Sequence, residues 1–240
     1  MNQFWNRHIF LHLRNARTYI GRMVKCDHIR SYSQEGEDMI LRRIFENRKE
    51  GFFVDVGAYH PTLYSNTCFF YRMGWRGINI EPNPEYIWMF QKYRNRDINL
   101  AVGVSDVETD LPYYMFNEPA LNTVEEAIAK RPTRNKERVY PIGKTVINVR
   151  RLETILQEHL PENRKIDFLS VDVEGHEFQV ILSNDWERFR PKCLLVEVLY
   201  IDLEEIIRSK LHRFMKEAGY TLHAKTANTL FYLDARSWER

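Results

Sequence analysis

The 240-residue chain is 44% hydrophobic and 13% aromatic, enough for a buried core and too apolar for a disordered chain. Its 35 Lys+Arg and 33 Asp+Glu leave a formal charge of +2, which argues against a general nucleic-acid binder. A mean hydropathy of −0.51 without a long uncharged apolar run excludes a bilayer-spanning helix, and Cys26, Cys68 and Cys193 give neither a disulfide framework nor a zinc spacing.

In chain order, residues 1–30 read as a basic amphipathic helical extension. Arg7, Arg14, Arg17, Arg22 and Lys25 occur without an acid before residue 27, and Phe4, Trp5, Ile9, Phe10 and Leu13 fall near helical spacing. Two readings stay open: a helix packed on the domain, or peripheral contact with an anionic membrane. The arginines interrupt every early apolar stretch, so no signal peptide is expected. The expected location is the cytoplasm, with its membrane face as the variant the extension suggests.

Residues 31–240 read as one domain. A helix is expected from Gln34 to Asn47, capped by Ser33, with Glu37 and Asp38 favouring its N-terminus. Short apolar strands then alternate with helices. Strands are expected at Gly51–Gly57, Gly77–Glu81 and Ile98–Val102, with helices at Tyr64–Met73 and Pro84–Arg94 between them. Leu111–Phe116 reads as a further strand. Residues 117–145 show no clear period and hold Pro119, Pro132, Pro141 and a basic cluster at 130–138. Such a stretch is a substrate loop, a lid or a solvated excursion. The alternation returns with a helix at Leu152–Leu160, a strand at Ile166–Asp172, a helix at Phe178–Leu182 and a strand at Cys193–Val198. One long helix is expected at Leu203–Ala218, stopped by Gly219, then strands at Tyr220–His223 and Thr229–Leu233. The fold class is α/β, with a seven-stranded, mostly parallel sheet, helices on both faces and the last strand antiparallel.

Ligands of open α/β sheets bind beyond the carboxyl ends of the strands. Acids occur at those ends here: Asp55, Glu81, Asp106, Asp172 with Glu174, and Glu197. A buried carboxylate is costly unless it is paired or ligand-bound. The turn Asp55-Val56-Gly57-Ala58 lacks the second and third glycines of a dinucleotide fingerprint. Its leading acid repels phosphate and suits a cation. Glu81, 24 residues after Gly57, is placed to accept ribose hydroxyls. A nucleoside with a cationic amino-acid tail meets both demands, and S-adenosylmethionine is such a molecule. Asp106, following Ser105, is either a partner for the adenine amino group or a turn cap.

With these segments in view, the sequence resembles the FkbM-type S-adenosylmethionine-dependent methyltransferases. The resemblance runs through Ser31–Asp38, Phe53–Pro61, Gly74–Pro82, Ala101–Asp106 and Asp167–Glu177. It implies a class I, Rossmann-like methyltransferase fold, and O-methylation of a sugar, nucleotide sugar or glycan, as in bacterial polysaccharide or glycosylated-metabolite biosynthesis. It implies cofactor contacts at Asp55, Gly57, Ala58, Glu81, Ser105 and Asp106, with Gln34 toward the methionine end. A sugar hydroxyl is a poor acid, so a general base is expected, and Asp172, Glu174 and His176 are the candidates. Asp172, Glu174 and Glu197 are oxygen donors that a metal would accept, but spacing alone does not bring them together and no metal is assigned. The alternative function is a non-catalytic cofactor-binding partner of a glycan-assembly system.

Overall fold

The main sheet is built from strands that are apolar on both faces, as strands covered by helices must be. A computed structural model describes residues 30–46, 48–130, 139–199 and 201–237. The amphipathic pattern of residues 1–26 and most of the basic cluster at 130–138 lie outside them. Residues 32–240 belong to one unit.

The sheet contains β1 (Phe52–Val56), β2 (Arg76–Ile80), β3 (Ile98–Leu100), β7 (Phe168–Val171), β8 (Cys193–Glu197), β9 (Tyr220–Lys225) and β10 (Thr229–Asp234), in the order β3-β2-β1-β7-β8-β10-β9. β1 pairs in parallel with β2 and β7, as do β2 with β3 and β7 with β8. β10 runs antiparallel to both β8 and β9. Successive side chains of β1 serve opposite cores. Phe52, Val54 and Val56 face one core, which holds Leu152 and Ile155 of α5 (Leu152–His159) and Val180 and Ile181 of α6 (Glu177–Leu182). Phe53 faces the other, with Leu41 of α1 (Glu37–Ile44), Phe70 of α2 (Cys68–Arg72) and Trp75. The strand order runs outward from β1 to β2 and β3 on one side and from β7 to β8 on the other, so the crevice between the ends of β1 and β7 is the topological switch point.

Several elements differ from the sequence expectation. Helix α1 spans Glu37–Ile44, with Gly36 at its N-cap at φ 84°. Ser33 is not the cap; its Oγ exchanges hydrogen bonds with the backbone and carboxylate of Asp38. The expected helix Leu203–Ala218 breaks at Ser209 into α7 (Leu203–Arg208) and α8 (Lys210–Glu217). Asp202 caps the first with a full capping box, and Ser209 caps the second by accepting from His212 N–H, so local polar groups override an unbroken apolar period. Residues 117–145 are not wholly irregular. A short 3-10 turn (Pro119–Leu121) and α4 (Glu126–Ala129) precede β6 (Pro141–Arg150). With β4 (Gly103–Val104) and β5 (Thr109–Phe116), β6 makes a second sheet in the order β4-β6-β5. The first six residues of β6 are exposed, so no alternation marks them; cross-strand bonding to β5 makes them a strand. Helix α3 (Pro84–Tyr93) follows β2, its first turn capped by Asn83. Cys68 and Cys193 are free and buried.

Candidate functional site

The loops after β1, β2, β4 and β7 line a cavity whose empty space, open mouth included, is about 840 Å³. Its wall includes Gln34, Gly57, Glu81, Asp172, Glu174 and His176, with Tyr59, Tyr64 and Tyr113. No lysine or arginine lines it among the described residues.

The first wall grows from β1. Gly57 adopts φ 78°, and a Cβ there would overlap the Asp172 carbonyl oxygen. Only glycine lets the ends of β1 and β7 approach so closely. The amides of Gly57 and Ala58 both donate to the Ile80 carbonyl, at 2.9 and 3.1 Å. Tyr59 follows at φ 50°, and its N–H donates to Glu81 Oε2 at 3.0 Å. The Asn83 N–H donates to Glu81 Oε1 at 2.8 Å. Two backbone amides therefore aim this carboxyl at the cavity wall. Burial raises the Glu81 pKa to about 7; the two amides oppose the shift, and the charges of Asp55 and Asp172 add to it.

Asp55 sits behind this wall. Its register partners are Asn79 on β2 and Ser170 on β7. Thr67 Oγ1 donates to it at 2.8 Å, and Arg94 Nη1 donates to Thr67 at 2.8 Å. Burial raises its pKa, and the Thr67 bond and the Arg94 charge pull it back. Ala58, the residue after Gly57, is buried.

Ser105, after β4, was expected at the cofactor. Its hydroxyl lies 2.9 Å from His176 Nε2 and 3.2 Å from Asp106 Oδ1. His176 Nδ1 lies 2.6 Å from Glu125 Oε1. Both imidazole nitrogens are thus engaged within the wall. Glu125 carries no site signal in the sequence because it lies in the stretch without periodicity, and only the return of that loop onto β7's end brings it to His176. Ser105 and Asp106 stand behind the cavity lining, as do Asp55 and Ala58; the other six expected site residues border the cavity.

The second wall lies beyond β7 and β8. Glu174 adopts φ 53° and Gly175 φ 99°. A non-glycine residue held in the left-handed region costs about 1–3 kcal/mol and tends to cluster at functional sites. Of the four such residues among those described, Tyr59, Tyr64 and Glu174 all line this cavity. The Glu174 carboxyl makes no hydrogen bond to a described residue, and burial beside the Asp172 charge pushes its pKa up. Glu177 Oε1 accepts from Gly175 N–H at 2.9 Å and Val173 N–H at 3.2 Å. Burial raises Glu177 to about 7 despite these bonds. Asp172 and Glu197 are raised as well, by burial and by neighbouring like charge. Glu197, at the last position of β8, joins Asp172 and Glu177 rather than Glu174. Glu177 carried no distinguishing signal in the sequence beyond its place in the first turn of α6.

The aromatic side of the mouth is built on Tyr59. Its ring lies 4.7 Å from that of Tyr86 and stacks at 6.4 Å on Tyr64. Such a group offers apolar faces with polar edges.

A model of the FkbM methyltransferase domain matches residues 55–222, more than two thirds of the chain and both walls of the cavity. The Ser31–Asp38 segment lies outside that match. No curated protein matches the chain. Among solved structures, a Burkholderia thailandensis 1,6-didemethyltoxoflavin-N1-methyltransferase with bound S-adenosylhomocysteine aligns at 11% identity and a TM-score of 0.40, covering 97% of this chain and 89% of that one. The C-terminal domain of a Rhodobacter capsulatus precorrin-6Y C5,15-methyltransferase aligns at 12% identity and 0.39, covering 86% and 91%. Likenesses this remote carry no argument about substrate.

Proposed function

The chain belongs to the FkbM methyltransferase domain family, and from that premise we propose that it methylates a hydroxyl oxygen of a sugar or glycan-type acceptor with S-adenosylmethionine as donor. The observation that carries this reading is the acid-lined cavity at the switch point, without a basic residue in its described wall. Bound there, S-adenosylmethionine supplies a methyl group already activated on a positively charged sulfur. The residues present suit it: carboxyl groups whose charge lacks a resident cation, and a glycine turn that leaves the backbone open to close approach.

Glu81 is the ribose partner in this reading. Its two amide bonds fix the carboxyl while each oxygen keeps acceptor capacity for a hydroxyl. Gly57 and Ala58 shape the floor. Asp55, held by Thr67, supports the turn from behind. Gln34 reaches the methionine end from the mouth, whereas Asp106, behind the lining and bonded by the Ser105 hydroxyl, is read as the turn cap rather than as the adenine partner.

The acceptor's place is between Glu174 and the tyrosines. Glu174 presents a carboxyl without a described partner on a strained backbone, so it is the group placed to take the hydroxyl proton. Asp172 orients the acceptor across the cavity. His176 has both nitrogens engaged, by Ser105 and Glu125, and in this arrangement it braces the wall. The Tyr59, Tyr64 and Tyr86 rings supply faces for a sugar.

Calorimetric titration with S-adenosylmethionine and S-adenosylhomocysteine tests the first half of the proposal. Micromolar binding of both is expected; binding of neither overturns it. A labelled-methyl assay over neutral sugars, uronic acids, nucleotide sugars and small amines tests the second half. Transfer to amines alone removes the hydroxyl assignment. A peripheral membrane contact through residues 1–26 belongs to the same proposal. Failure of the full chain to co-sediment with anionic vesicles removes it.

A further inference from the structure

Three carboxyl groups meet where β7 and β8 end. Asp172, Glu177 and Glu197 each offer one oxygen within 4.8 Å of the other two. Acids collect on many protein surfaces without consequence, but this group has a second property. Glu197 is only 9% exposed, and its Oε2 is buried with no hydrogen-bond partner. The Glu197 and Asp172 carboxyls lie within hydrogen-bonding reach of each other. A buried carboxyl oxygen left without a partner, on a group that lies beside a second acid, is costly. None of the ion pairs among the described residues involves Asp172, Glu177 or Glu197.

The surroundings confirm that polar satisfaction is available nearby and is spent elsewhere. Glu35 takes the backbone and side-chain N–H groups of Asn228, and Glu37 takes the Thr229 hydroxyl and the Glu35 amide. Glu177 uses Oε1 for the Val173 and Gly175 amides. No comparable donor reaches Glu197 Oε2.

We propose that Asp172, Glu177 and Glu197 bind one hard divalent cation, Mg²⁺ or Mn²⁺. An all-oxygen, carboxylate-rich donor set selects this class of ion over zinc or copper. One cation at about 2.0–2.6 Å from each oxygen spans the observed separation. It supplies the counter-charge that no described side chain supplies, and it gives Glu197 Oε2 a partner. Asp172 borders the cavity, so the ion stands at the cavity wall with its remaining positions open to water or to an acceptor. Resting on the proposed hydroxyl acceptor, the site would favour a vicinal diol that fills two of those positions, and it would make the bound hydroxyl a stronger acid.

The test uses the full chain, stripped with chelator and titrated with MnCl₂ and with MgCl₂ by calorimetry, with melting followed in parallel. The expected result is one equivalent bound more tightly than about 1 mM, with a rise in melting temperature. Glu197→Gln should weaken binding at least tenfold. Glu162→Gln, exposed before the opposite end of β7, should bind as the wild type does. Should Glu197→Gln fail to fold, Glu177→Gln carries the same comparison. Absence of binding to the wild type, or equal binding by the folded Glu197→Gln or Glu177→Gln protein, overturns the proposal. S-adenosylmethionine titrated in chelator separates the two ideas: cofactor binding without metal binding defeats the metal site alone, whereas metal binding without cofactor binding defeats the methyl-transfer reading alone.

Discussion

At the ends of β1 and β2, each carboxylate has its own donors. Asp55 has Thr67, supported by Arg94; Glu81 has the amides of Tyr59 and Asn83. At the ends of β7 and β8, Glu174 has none among the described residues, Glu197 Oε2 has none, and only Glu177 draws on backbone amides. The two rims belong to one sheet and flank one cavity, yet they carry their charge differently. The first is preorganised, with groups locked in place to meet a ligand of fixed shape. The second holds carboxyl groups that lack donors among the described residues and is completed by whatever binds there. Recognition of an invariant cofactor suits the first arrangement, and handling of an acceptor suits the second.

Four changes break or sharpen this contrast. The largest effect is expected from Gly57→Ala, which strikes the junction of the two rims. The φ of 78° and the overlap with the Asp172 carbonyl add up, so a loss of about 3–5 kcal/mol in unfolding free energy is expected. Chemical denaturation checks it, and a stable variant would mean that the strand ends part easily.

Glu81→Ala removes the anchored carboxyl of the first rim. Cofactor affinity should fall by about 2–4 kcal/mol for two charge-assisted hydrogen bonds, read by titration. An unchanged affinity would move the ribose contact elsewhere.

The third change is pH. Glu81 rises on folding from 4.5 to about 7, so between those values the folded chain holds a proton that the unfolded chain has released. Stability contributed by this group is therefore greatest below pH 4.5 and declines as pH rises toward 7, by at most about 3 kcal/mol. Cofactor binding, which uses the ionised carboxylate, should strengthen over the same interval. Melting curves of wild type and Glu81→Gln at pH 5 and pH 8 isolate the contribution. A wild-type slope identical to the variant's would show that Glu81 does not titrate on folding.

The smallest change concerns the bracing beside the second rim. Ser105→Ala leaves His176 Nε2 buried without its partner, which should lower stability by about 1–2 kcal/mol. Cofactor affinity should be nearly unaffected, because Ser105 stands behind the lining. A large loss of affinity with intact stability would instead return Ser105 to the cofactor.

The residues Gly57, Glu81, Asp172, Glu174 and His176 were legible as site candidates because strand ends could be found from apolar runs and acids stood directly after them. β6 was not legible in its first half, since its exposed residues have no hydrophobic alternation and depend on pairing with β5. Ser209 was hidden inside an unbroken helical period, where a single capping hydroxyl redirected the chain. Glu125 and Glu177 were equally hidden, because nothing in a lone glutamate states which loop will return to meet it.

The sequence by itself determined the alternation of strands and helices, the acid at each strand end and the family, since these depend on local pattern and motif order. Tertiary structure alone decided which acids became partners. Glu174 and Glu177 are three residues apart, yet one stands free at the cavity and the other joins Glu197 of the next strand. The turn through Glu174 and Gly175, both at positive φ, separates them, and Glu197 arrives by the parallel register of β7 with β8, a relation fixed by long-range packing.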